Sequence, residues 1–338
     1  METVSFKPCI SVVITAYNAG STVLATLHAL DQQTAPRDRF EVILVDDGST
    51  DDTKQIVERF ASQSSLPLTY VYQPNKGVGA ARNFGVRHAK GDILAFTDAD
   101  CTCDADWIEV IAQEIRKQKK KLIGGCTYSH DTIIFPRKMA PVHHIGVTAN
   151  LAVDRSVFAT DEMVFTNEFL WMLGHDIDLV VSLEEKGYHL EYIAHMRVQH
   201  PANILSFERF LMRARSRGNE VWLYKKHREK VLWAFSPMMQ PRIGGRISYL
   251  FLGCVVLLLA MIGLGCWWGW EAVVVSGLVG CVWFLLYGYR YLILYTPPHA
   301  AVVSWSDRVR TLCYLALFLP LFCYHRIRGS IHFGFLML

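Results

Sequence analysis

The sequence predicts an α/β domain on a mostly parallel sheet, followed by an α-helical membrane region. From Cys9 to Thr97, short β-branched apolar runs alternate with helical stretches, the pattern of a parallel sheet covered by helices on both faces. Two acidic clusters, Asp46-Asp47 and Asp98-Ala99-Asp100, stand at the carboxyl ends of such runs. Beyond Arg246 the apolar stretches lengthen and lose nearly all charge.

Element by element, Cys9 to Ala16 reads as a strand, Ser21 to Gln32 as a helix and Phe40 to Val45 as a strand. Thr50 to Ser62 reads as a helix opened by capping residues, Leu68 to Tyr72 as a short strand, Gly79 to Ala89 as a helix and Asp92 to Thr97 as a strand. A helix is expected over Asp106 to Lys117, then a solvated basic segment to Lys121 and a strand over Leu122 to Tyr128. The chain is loop-rich to His144 and mixes polar and aromatic residues from Thr148 to His200, with a helix over Asp176 to Lys186 ended by Gly187. Asn203 to Leu232 reads as a basic helical segment carrying Arg209, Arg213, Arg215, Arg217, Lys225, Lys226, Arg228 and Lys230.

With 338 residues there is room for a domain of about 200 residues and a smaller second unit. The expected division is 1–202 for the α/β domain, 203–245 for a basic juxtamembrane segment and 246–338 for the membrane region. The run 247–268 has no charged residue and is long enough to cross a bilayer. The run 272–294 is a second candidate, joined to the first by a Gly-Trp-Glu turn. Arg242, Arg246, Arg308 and Arg310 flank the pair on one side, which orients both ends toward the cytoplasm. The stretch 312–324 contains Pro320 and reads as interfacial, re-entrant or a third span. Met1 to Cys9 has no basic-then-apolar pattern, so no signal peptide is expected and the first domain is placed on the cytoplasmic face of the cell membrane.

A net charge of +3 is too mild for a surface that tracks nucleic-acid phosphates, which excludes a nucleic-acid partner. The cysteines, among them Cys101-x-Cys103 and several in the apolar tail, lack a second pair at zinc-finger spacing and read as small hydrophobes. The acidic clusters are the informative polar feature. Carboxylates at the carboxyl edge of an open parallel sheet lie where such sheets bind ligands, and a close pair can hold a divalent cation against phosphate oxygens. That combination points to nucleotide-diphosphate chemistry.

Four segments in order, Ser11 to Asn18 (SVVITAYN), Val45 to Thr53 (VDDGSTDDT), Asn75 to Asn83 (NKGVGAARN) and Thr97 to Asp100 (TDAD), give the region from Ile10 to His200 a pattern that resembles glycosyltransferase family 2. The resemblance implies a GT-A fold, a nucleotide-sugar donor, a divalent cation (Mg²⁺ or Mn²⁺) and inversion at the anomeric carbon. By position it implies that Thr15 and Tyr17 line the nucleobase pocket with Asp47 accepting from the base, that Lys76 and Gly77 cover the base, that Asp98 faces ribose or sugar, and that Asp100 binds metal. Gly174-His175-Asp176-Ile177-Asp178-Leu179 is similar to the family's Glu-Asp-x-Asp-Leu block, which makes Asp176 the general base; His175 departs from the usual glutamate. His200 stands where some members have a metal- or diphosphate-contacting histidine, with a purely structural role as the alternative. No Gln-x-x-Arg-Trp block of processive enzymes is present, which favours one addition per encounter.

The function expected is therefore transfer of one sugar to a lipid-linked or cell-surface glycan acceptor at the cytoplasmic membrane face, with membrane lipids as further partners. Two other classes compete. A signalling receiver would carry its acidic pair after the first strand, whereas here the pair follows the second. A membrane-tethered nucleotide-binding module without activity is favoured by His175 and opposed by Asp98, Asp100 and Asp176.

Overall fold

Strand β2, Phe40–Asp46, is buried along its whole length, which is why its central Val42-Ile43-Leu44-Val45 reads as an apolar run without alternation: both faces are covered. The computed structural model describes residues 9–117, 121–128, 148–158, 165–166, 169, 174–200, 217–227 and 328. The chain divides into two units, Met1–His130 with His143–Ala202, and Asp131–Val142 with Asn203–Leu338.

In the first unit β1 (Ile10–Ala16), α1 (Val23–Asp31), β2, α2 (Thr53–Gln63), β3 (Leu68–Tyr72), α3 (Val78–His88) and β4 (Ile93–Asp98) follow one another as the alternating pattern predicts. β5 (Thr102–Cys103), α4 (Trp107–Arg116), β6 (Lys121–Tyr128), β7 (Leu151–Asp154), α5 (His175–Glu185) and β8 (His189–Gln199) complete it. The strands form one sheet in the order β3-β2-β1-β4-β7-β6-β8-β5. β1 pairs in parallel with β2 on one side and β4 on the other. Chain direction around the sheet therefore reverses at β1, and the crevice beyond the carboxyl ends of β1 and β4 is the position such sheets use for ligands.

The expectation of a mostly parallel sheet needs correction in the second half. β4–β7, β6–β7 and β5–β8 are antiparallel and β6–β8 is parallel, so the sheet is mixed. The parallel half was legible because its strands are buried on both faces. β7 has four residues, and β8 alternates exposed polar with buried apolar positions, so neither produces a long apolar run.

Helix α3 approaches the sheet closely through Gly85, where a Cβ would lie 2.5 Å from Val13 Cγ1 and 3.0 Å from Val45 Cγ2. That approach delivers Arg82 and Asn83, from the same helix, into buried positions. Gly85→Val should destabilise the fold by about 1–3 kcal/mol through overpacking, read as a lower thermal midpoint with unchanged secondary structure.

Buried Trp107 donates from Nε1 to Asn150 Oδ1 at 2.9 Å, and Asn150 Nδ2 donates to Met196 O at 3.0 Å and Cys126 O at 3.2 Å. This bridge spans the irregularity between Gly125 and Cys126, past which β6 resumes pairing at Arg197. The shift carries the end of β8 to the same edge as β5, where Thr102 pairs with Gln199.

In the second unit the described elements are α6, Arg217–His227, and Arg328. Trp222 and Leu223 are buried, Lys225 and Lys226 are exposed, and Lys226 Nζ lies 4.8 Å from the centre of the Trp222 ring. The other basic positions expected on this segment outside 217–227, and the stretches 247–268, 272–294 and 312–324, lie outside the described residues. Among the described residues no helix is long and apolar enough to cross a membrane.

Candidate active site

The carboxyl ends of β1, β2 and β4 converge because register sets Thr15 beside Val45 on one flank and Asp98 on the other. The turn after β2 is held from several sides. Asp46, fully buried, accepts from Ser49 N at 2.7 Å and from the Tyr70 hydroxyl at 2.7 Å. Asn18 accepts from Thr50 N at 2.8 Å and donates its backbone N–H to Ser49 Oγ at 2.9 Å, tying the loops after β1 and β2 together. Asp51 accepts from Gly20 N at 2.9 Å and Thr53 N at 3.1 Å, work that belongs to the loop rather than to a ligand. Gly48 has φ +81° and passes so near Asn75 that a Cβ would meet its backbone nitrogen at 2.7 Å.

Asp47 organises the neighbouring loop. Its Oδ1 accepts from Gln73 Nε2 at 2.7 Å and Lys76 N at 2.9 Å, and its Oδ2 accepts from Gly77 N at 2.9 Å. Lys76 and Gly77 are thus joined to Asp47 through their backbones, while the Lys76 side chain is exposed. Tyr17, directly after β1, is 54% exposed, and Thr15 is half-buried.

Across the edge, Arg82 links two of the expected residues. Its guanidinium, 7% exposed, donates from Nη2 to Asp98 Oδ1 at 3.0 Å and sets Nη1 at 3.6 Å from Asp176 Oδ1. The ring of Phe165 lies beneath it at 5.6 Å. Asp176, in the first turn of α5, also accepts from Thr148 Oγ1 at 2.5 Å. Its side chain is 30% exposed, yet burial dominates and pushes the carboxyl above the usual carboxylate range; Arg82 and Thr148 pull the other way. A carboxylate made more basic and held in place suits proton acceptance.

His175 precedes it and is buried. Burial, then the Arg82 charge, lowers its pKa to about 4 against a weaker opposite pull from Asp178, so the imidazole is neutral at physiological pH. Its Nδ1 has no hydrogen-bond partner among the described residues, its ring meets Phe169 edge-on at 4.7 Å, and a Cβ on Gly79 would lie 2.8 Å from its Cε1. The usual glutamate is thus replaced by an uncharged ring that leaves Arg82 to Asp98 and Asp176.

Asp100 and His200 meet at the far side, with His200 Nε2 3.7 Å from Asp100 Oδ2. Together with Cys101 Sγ their ligand atoms all lie within 4.8 Å of one another. His200 is anchored through its backbone N–H to Tyr128 O at 2.8 Å. Burial, then Asp98 and Asp100, pushes the Cys101 thiol up, which keeps it protonated. A carboxylate oxygen and an imidazole nitrogen on adjoining segments are of the kind that fits a divalent cation.

The expected residues fall into an Asp47–Lys76–Gly77 group, an Asp98–Asp176 pair bridged by Arg82, and an Asp100–His200 pair. Arg82 lies inside the Asn75–Asn83 segment, but its partners Asp98 and Asp176 are remote in sequence, so no local pattern gives it a role. Thr148, Gln73 and the approach of Cys101 to His200 carry no local signal.

Comparison with known proteins bears on what an α/β edge with this set of carboxylates does. Residues 11–167 match the model of glycosyl transferase family 2. Glycosyltransferase AglE of Haloferax volcanii is 29% identical over 211 residues, covering 59% of this chain and 68% of that protein. Validoxylamine A glucosyltransferase of Streptomyces hygroscopicus subsp. jinggangensis is 36% identical over 143 residues, covering 41% of this chain and 32% of that protein, so the chain spans only about a third of this relative. The solved mannosyltransferase PcManGT from Pyrobaculum calidifontis, in complex with GDP-Man and Mn²⁺, shares the fold with a TM-score of 0.58 at 18% identity, covering 95% of this chain and 87% of that one. The chain is a glycosyltransferase. Its residues 11–167 match that family's model, and the fold is GT-A-like.

Proposed function

We propose that the protein is an inverting, divalent-cation-dependent glycosyltransferase that moves one sugar from a nucleotide-sugar donor to a hydroxyl of a lipid-linked or cell-surface glycan at the cytoplasmic face of the membrane. The observation that supports this most is the Asp98–Arg82–Asp176 bridge, which sets a basic carboxylate beside the donor-side acidic cluster without direct contact between the two anions. In the reaction the acceptor oxygen forms a bond to the anomeric carbon and its proton passes to an Asp176 carboxylate oxygen. The bond from that carbon to the diphosphate oxygen breaks, and its electron pair leaves with the nucleoside diphosphate. Asp100 and His200 would hold Mg²⁺ or Mn²⁺, which when bound supplies positive charge for the departing diphosphate. Thr15, Tyr17, Asp47, Lys76 and Gly77 would hold the base, and Asp98 the ribose or sugar.

Full-length protein given a panel of nucleotide sugars, Mn²⁺ and membrane glycolipid extract should release nucleoside diphosphate with at least one donor. Failure with every donor, by folded protein, would reject the proposal.

The uncharged runs 247–268 and 272–294, with arginines on one flank, support membrane attachment with residues 1–202 and the basic segment 203–245 in the cytoplasm. A cysteine placed at Gly269 is expected to react with an impermeant reagent added outside intact cells, and one placed at Ser62 only after lysis. The reverse pattern would overturn this orientation.

A further inference from the structure

We infer that the donor's base is a pyrimidine with a single ring N–H, uracil or thymine, selected by the acceptor capacity that Gln73 leaves on Asp47. The inference rests on the nucleotide-sugar reading above. An ionised carboxylate offers about four acceptor positions, two on each oxygen. In Asp47 both positions on Oδ1 are taken, by Gln73 Nε2 at 2.7 Å and Lys76 N at 2.9 Å, and one on Oδ2 is taken by Gly77 N at 2.9 Å. One position on Oδ2 remains.

The three donors are not free to turn away. Gln73 is 7% exposed, and its backbone N–H is tied to Asp46 O at 3.0 Å. The N–H groups of Lys76 and Gly77 belong to a loop fixed by φ +89° at Gly77. Asp47 itself is 4% exposed, so an incoming base meets it over a small area.

Uracil and thymine present one N–H, N3–H, between two carbonyl oxygens, which is one donor for one remaining acceptor. Guanine presents N1–H and the exocyclic amino group side by side, a pair that a carboxylate satisfies with both oxygens. With Oδ1 filled, one of those donors enters the pocket unpaired, at the cost of its desolvation. Cytosine and adenine turn a ring-nitrogen lone pair toward the same edge, where it opposes the carboxylate. Gln73 is thereby a specificity-determining residue, because its amide consumes the acceptor a guanine would need.

The test is calorimetric titration of full-length protein in Mn²⁺ with UDP, dTDP, GDP, CDP and ADP. UDP, dTDP or both should bind at least about tenfold more tightly than the other three, the scale set by one unpaired buried donor. Preference between UDP and dTDP distinguishes uracil from thymine within the inference. Equal or tighter binding of GDP, CDP or ADP overturns it and leaves the nucleotide-sugar reading standing. No binding of any diphosphate overturns both. The near-isosteric Gln73→Met should narrow the gap between UDP and GDP; an unchanged gap in a folded variant overturns the role given to Gln73. The wild-type panel decides the base even if that variant does not fold.

Discussion

Asp176→Asn should lower the transfer rate by about two to four orders of magnitude, the usual contribution of a positioned proton acceptor. The substitution keeps the shape of the side chain and its capacity to accept from Thr148, so donor affinity should change little. An interaction that matters mainly in the transition state appears in turnover rather than in binding. Calorimetric donor binding measured beside transfer rate separates the outcomes. Near-normal transfer rejects Asp176 as the base, and a parallel loss of donor binding reassigns it to the nucleotide site.

The pH profile gives an independent reading. In the proposed role Asp176 acts as a carboxylate, so activity is expected to fall as falling pH protonates it. Because burial raises its pKa, the acid limb of kcat/KM should lie above the ordinary aspartate value of about 3.9. Thr148 donates to the charged form and pulls the pKa down. Thr148→Val should therefore move the limb to still higher pH, and a limb that stays in place would separate it from Asp176.

Asp100→Ala should reduce turnover to background and remove the effect of Mg²⁺ or Mn²⁺ on donor affinity. Asp100 is the carboxylate of the Asp100–His200 pair, and a diphosphate leaving group depends on local positive charge as the sugar bond breaks. Donor titrations with and without chelator provide the check. Full activity in chelator, or in the variant, would overturn the metal assignment. His200→Gln should instead raise the metal concentration needed for half-maximal donor binding.

The parts of the fold readable in sequence are those whose local pattern matches their final environment. β1, β2 and β4 are covered on both faces and carry uninterrupted apolar runs. β8 is harder to see because its sequence, HLEYIAHMRVQ, places exposed His189, Glu191 and His195 among its buried positions. β7, LAVD, is too short for its period to show. The candidate site divides in the same way. Asp46, Asp47, Asp98 and Asp100 are adjacent in sequence to the strands that aim them, so their clustering is visible. The Arg82 bridge joins α3 to β4 and α5, and the Asn150 contacts join β6 to β8. Such links depend on tertiary closure, and no window of sequence contains them.

The pairing of β5 with β8 also bears on the order in which the site is assembled during synthesis. Thr102 reaches Gln199 only after the whole intervening chain has emerged, and Asp100 acquires His200 as a neighbour by the same closure. At about 5–20 residues per second, the interval between making these two side chains is roughly 5–20 s. During it the nascent chain already carries Asp47, Lys76 and Gly77 but lacks the imidazole beside Asp100. A ribosome-bound or truncated product ending before β8 would thus contain the Asp47 loop without the Asp100–His200 pair, so the two halves of the proposed site would be completed at different times.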